Sequence, residues 1–137
     1  MAEQQATAKF LIQKNAVDKY LGYYKKELEE RLHLIYDGFQ KLKYDGYSVD
    51  ACAPQAAIYL TIQISLVNKK RAEGKILKTQ SDVTSYILNE AKLAVVPFYA
   101  FGAPANSDWY RLSVGTCRKE QIPEMLEKLR MALSKLS

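Results

Sequence analysis

Arg111 lies inside an apolar run, Trp109-Tyr110-Arg111-Leu112-Ser113-Val114-Gly115, and that position needs a reason. A charge that gives up its water without a partner costs several kcal/mol. Between Tyr110 and Leu112 on a predicted strand, the guanidinium points off a sheet toward something anionic. A planar guanidinium makes a bidentate fork to a carboxylate, so one fixed arginine both holds and orients a carboxylate ligand. The plainer alternative pairs it with a core aspartate or with backbone carbonyls, and spacing alone leaves both open.

No catalytic constellation is complete elsewhere. His33 is the single histidine, so a multi-histidine metal site within one chain is excluded; it reads as a surface or core residue. Cys52 and Cys117 are far apart, match no metal-ligand spacing and read as reduced thiols of a cytoplasmic protein. The glycines form no phosphate-cradling motif. Acidic side chains sit on predicted helices with basic ones at helical spacing, as with Glu27 and Arg31, in solvated ion pairs. The net charge of +5 invites a nucleic-acid reading. Only Asn68-Lys69-Lys70-Arg71 with Lys75 is locally basic, no aromatic platform interleaves with it, and it reads as a solvated loop.

The elements that must position Arg111 follow from periodicity. From about Glu3 to Lys43 there is no proline, and Phe10, Val17, Leu21, Tyr24, Leu28, Ile35, Phe39 and Leu42 recur at helical spacing along one face. Gly22 and Gly38 weaken this long helix by about 1 kcal/mol each, and Asp45-Gly46 ends it. A helix of that length in a small domain overhangs the core and bridges to something else. Ile58, Leu60, Ile62 and Ile64 alternate with polar residues as in a half-buried strand. Ser81 with Asp82 starts a helix to about Lys92. Short strands follow at Leu93 to Val96, ended by Pro97, and at Trp109 to Val114. A last helix spans Lys119 to Leu136, with Ile122, Leu126, Leu129 and Leu133 on one face and Pro123 in its first turns.

This order predicts an α/β sandwich with a small three-stranded sheet, and 137 residues suit one domain, residues 1–137. No apolar run reaches the roughly 20 residues that cross a bilayer, and Met1 to Phe10 lack the order of a signal peptide.

Several segments resemble the small C-terminal domain of the class I, fold type I aminotransferases, the aspartate aminotransferase branch. AEQQATAKFL is similar to the start of the helix joining large and small domains, and DACAPQAAIYLTI to the strand after it. AVVPFYAFG resembles the family's VPGxxFG loop near the active site, and WYRLSVGT its arginine-bearing strand. Phe98-Tyr99 depart from the glycine and small residue of many relatives. The resemblance implies that Arg111 binds the substrate α-carboxylate and that Phe101 and Gly102 shape the loop closing over the substrate. It also implies pyridoxal phosphate as cofactor of the longer parent, held by a Schiff-base lysine of a large domain. That lysine has no stand-in here, so no residue of this chain is assigned as catalytic, cofactor-binding or metal-ligating. The isolated chain is expected to be inactive, its partners being its own large domain, a second subunit and the amino acid or 2-oxo acid. The alternative is a stand-alone module binding nucleic acid or a protein through Lys69, Lys70, Arg71 and Lys75 or through the long helix.

Overall fold

The computed structural model describes residues 1–115 and 117–137. Helix α1 spans Ala2–Ile12 and α2 Lys14–Tyr44; strands β1 and β2 are Val49–Ala51 and Tyr59–Ile64. Helix α3, Gln80–Ala91, leads to β3, Val96–Pro97, and a 3-10 turn at Phe98–Phe101. Strand β4, Trp109–Ser113, is followed by a second 3-10 turn, Lys119–Gln121, and helix α4, Ile122–Ser134. The α/β expectation holds.

The strands form one antiparallel sheet in the order β1-β2-β4-β3. Period-two alternation sorts its two faces. Leu60, Ile62 and Ile64 of β2 and Tyr110 and Leu112 of β4 are buried. They join Ile35 and Phe39 of α2, Val83 and Ile87 of α3, and Ile122 and Leu129 of α4 in one core. The other face carries Tyr59, Thr61, Gln63, Trp109, Arg111 and Ser113, all half-buried or exposed.

Four features differ from the sequence-based expectation, each for a local reason. The sheet has four strands, not three. Strand β1 is three residues long, too short to show alternation, and is anchored through Asp50, which accepts from Lys43 Nζ at 2.5 Å and Gln40 Nε2 at 2.9 Å. The long helix is interrupted at Gln13, whose φ of −81° and ψ of 68° leave the helical region. Helix α1 buries no residue, so only local hydrogen bonds hold its register. Helix α3 is capped by Thr79 instead of Ser81. Thr79 Oγ1 accepts from the Asp82 N–H at 3.2 Å and Asp82 Oδ2 accepts from the Thr79 N–H at 2.9 Å, a reciprocal capping box. Pro97 lies within edge strand β3, paired with Tyr110, where a missing donor is tolerated.

The apolar stripe of the long helix is used only in part. Leu28, Leu32, Ile35, Phe39 and Leu42 are buried. Toward the N-terminus Phe10, Leu11, Ile12, Tyr20, Leu21 and Tyr23 stay exposed, so this end of the helix overhangs the core. Among the described residues no helix is long and apolar enough to cross a membrane.

Candidate functional site

Strand β4 lies between β2 and β3, so Arg111 is opposite Thr61 on one side and Val96 on the other. Alternation places Tyr110 and Leu112 inward and sends the arginine to the uncovered face. The strand is pinned beneath it: the buried Tyr110 hydroxyl donates to Gln80 Oε1 at 2.7 Å, in the first turn of α3. Gln80 Nε2 in turn donates to the Asn106 carbonyl at 3.4 Å, in the loop that leads into β4. Burial pushes the Tyr110 phenol up to about 12.

Two aromatic rings flank the guanidinium. Arg111 Cζ stands 4.5 Å over the Tyr59 ring centroid and 4.4 Å over that of Phe101, both cation–π distances. Tyr59 opens β2 opposite Ser113, two residue pairs along the ladder from the arginine and so on the same face. Phe101 closes the 3-10 turn that leaves β3, and Phe98 braces it edge-on with ring centroids 6.5 Å apart. Gly102 then takes φ +90°, a left-handed conformation, and its N–H donates to the Tyr99 carbonyl at 3.2 Å. The departure at Phe98-Tyr99 therefore supplies a ring behind Phe101.

No carboxylate among the described residues pairs with Arg111. By contrast, Arg31 pairs with Glu27, Arg71 with Glu73 and Glu90, and Arg130 with Glu127. Neither plainer alternative, pairing with a core aspartate or with backbone carbonyls, is found for Arg111 among the described residues. What remains is a positive fork held by rings, with its hydrogen-bonding capacity open to an anion.

The structure brings Arg111 and Phe101 together with Gly102 beside them. It adds Tyr59, which the sequence read only as a polar-face residue of its strand. The signal was its parity on β2, but the register that sets it beside Arg111 depends on a pairing between segments fifty residues apart.

The other candidates stay separate from this site. Cys52 and Cys117 are both free, and burial pushes the Cys117 thiol up, away from reactivity. The described residues contain no cluster of metal-ligating groups. His33 lines a 560 Å³ groove between α2 and the Pro54–Ala57 loop, a lining that does not include Arg111. In the basic loop Arg71 stacks on Tyr86, with Cζ 5.2 Å from the ring, besides its two glutamate partners. Lys70 exchanges backbone hydrogen bonds with Ser137, so this segment is tied into the fold.

Comparison with known proteins identifies the family of the chain. The model of the family described as aminotransferase class I and II matches residues 2–129. An aspartate aminotransferase of Rhizobium meliloti (strain 1021) is 31% identical over 124 residues, 90% of this chain and 28% of that protein. A probable aspartate/prephenate aminotransferase of Rickettsia bellii is 31% identical over 107 residues, 77% of this chain and 25% of that protein. The crystal structure of an aspartate aminotransferase from Rhizobium meliloti superposes with a TM-score of 0.69 at 29% identity, covering 82% of this chain and 26% of that one. This chain thus spans about a quarter of the length of the curated relatives it matches. With a family match along nearly its whole length, the chain belongs to the class I and II aminotransferases.

Proposed function

We propose that residues 1–137 are the C-terminal small domain of a longer transaminase, and that Arg111 binds the α-carboxylate of its amino acid or 2-oxo acid substrate. One observation carries this reading: an arginine on the uncovered sheet face, flanked by two rings and left without a carboxylate partner among the described residues. A half-buried arginine kept for structure would be neutralised, as Arg31 and Arg71 are, whereas Arg118, also without a carboxylate partner among the described residues, is exposed to solvent. Phe101 and Gly102 belong to the same site as the wall beside the substrate carboxylate.

The reaction is exchange of amino and keto groups between an amino acid and a 2-oxo acid by a ping-pong route. Aspartate is the default substrate, because the curated relatives bear that name. The family's cofactor, pyridoxal phosphate, provides the electron sink for such chemistry. The described residues at this site do not fit it. The neighbours of Arg111 are Thr61, Val96, Tyr59 and Phe101, with no lysine and no glycine-rich phosphate cradle among them. Cofactor binding therefore falls to the large domain, and this chain's part is to hold, orient and help desolvate the substrate. Movement of this domain toward the large one would carry Arg111 to the substrate and exclude water. Alone, the chain is inactive. Its partners are its own large domain and a second subunit, and its free cysteines suit the cytoplasm.

The test is Arg111→Ala in the full-length protein. Loss of a bidentate charge-assisted contact lowers kcat/KM for both amino acid and oxo acid by roughly a hundredfold. Arg111→Lys recovers only part of it, since an ammonium cannot form the fork. Unchanged kcat/KM in the alanine variant would remove Arg111 from the substrate site. The second reading, a nucleic-acid module, predicts a steep salt dependence of binding through Lys69, Lys70 and Lys75, and no such dependence is expected.

A further inference from the structure

We propose that Tyr59 is a positioning residue for Arg111: together with Phe101 it holds the guanidinium ready for a carboxylate, a role that rests on the carboxylate-binding reading above. An arginine on a flexible stem loses rotamer freedom when an anion fixes it, and that loss weakens binding unless the side chain is already held. A glutamate partner would hold it but would also cancel the charge and occupy the N–H fork. An aromatic face attracts the cation and accepts none of its in-plane N–H bonds. Rings thus restrain Arg111 without competing with the ligand.

The two rings come from different parts of the fold. Tyr59 sits on β2, hydrogen-bonded in register to the arginine's own strand, so its Cα cannot drift relative to Arg111. Phe101 sits at the end of a short turn. Tyr59 is therefore the fixed ring and Phe101 the adjustable one. A core-packing role does not account for Tyr59, because it is 41% exposed, whereas its strand neighbour Leu60 is 1% exposed. The contact uses the ring and not the hydroxyl, since the arginine carbon lies over the ring centroid.

Side-chain NMR on the isotope-labelled 137-residue chain, with acetate as the probe, tests the proposal. In the wild type, ring currents displace the Arg111 Hδ resonances upfield of those of the other arginines, and acetate shifts the Arg111 Nε–H signal. Tyr59→Leu moves the Hδ resonances back toward the others and weakens acetate binding at Arg111 by about fivefold. Tyr59→Phe keeps both within about twofold of wild type, since the ring remains. Unchanged Hδ positions or unchanged acetate affinity in a folded Tyr59→Leu chain overturn the role of Tyr59 alone. A wild-type Arg111 signal that never responds to acetate overturns the carboxylate-binding reading itself, and the positioning role with it.

Discussion

At the level of single residues, the site depends on a contrast between adjacent positions of β4. Arg111 faces outward with its charge uncancelled, while Tyr110 faces inward with its hydroxyl bound to Gln80. Tyr110→Phe leaves the buried Gln80 Oε1 without its donor and should destabilise the fold by about 1–3 kcal/mol, read from urea unfolding. The raised phenol pKa adds a pH signature. The neutral form is favoured in the folded chain, so this contribution is complete below the ordinary tyrosine value of 10.0 and is lost as pH rises through it toward about 12. Stability should fall by roughly 2–3 kcal/mol across that window, and Tyr110→Phe should flatten that part of the curve. Tyrosinate absorbance at alkaline pH should likewise show late titration from two buried phenols, Tyr110 and Tyr86, and the variant should lose the Tyr110 part. The arginine was legible in the sequence because a charge in an apolar run is conspicuous. Its tyrosine neighbour was not, because cross-strand proximity comes from a register that no local pattern encodes.

At the level of elements, the same substitution has opposite effects at two glycines of α2. A Cβ at Gly22 meets nothing within 4 Å, whereas at Gly38 it would run into the Leu126 side chain on α4. Gly22→Ala should raise helix stability by up to about 1 kcal/mol. Gly38→Ala should lower thermal stability, because overpacking of about 1–3 kcal/mol exceeds the propensity gain. Circular dichroism melts of the two variants would separate them. Propensity alone treats both glycines as weak points; only the approach of α4 explains why one is needed. The cap of α3 supplies a further check. Thr79→Ala removes the acceptor for the Asp82 N–H and should cost about 1 kcal/mol. Hydrogen bonds from the Thr79 side chain and backbone hold the Asp82 carboxyl below the ordinary aspartate value of 3.8. That contribution is therefore complete above this value and is lost as pH falls below it, so the variant should show a shallower acid limb. The sequence pointed to the right turn of chain but to the wrong cap, since Thr79, Ser81 and Asp82 all have capping chemistry and only backbone geometry chooses among them.

At the level of the whole molecule, the core ends where the long helix does not. The alternating strand, the terminal helix and the inward half of α2 followed from hydrophobic period, because each packs against something within the chain. The exposed half carries the same periodicity, so the pattern could not show where its partner ends. Phe10, Leu11, Ile12, Tyr20 and Tyr23 together with Phe101 leave apolar surface uncovered, and such patches drive association. Sedimentation of the isolated chain should show self-association that grows with concentration and is weakened by Leu11→Ser with Tyr23→Ser. A strictly monomeric chain at high concentration would count against those patches as contact surfaces. The geometry of that helix has a mechanical side as well. Its 31 residues make a rod of roughly 46 Å, clamped to the core over its second half and free over its first. A rod held at one end is a lever: a tilt of a few degrees at Leu28 to Leu42 displaces the free end by several times the shift of the side chains that grip it. If the proposed large domain is fastened to the far end, small repacking on α4 or the sheet is geared up into a larger swing of that domain relative to Arg111.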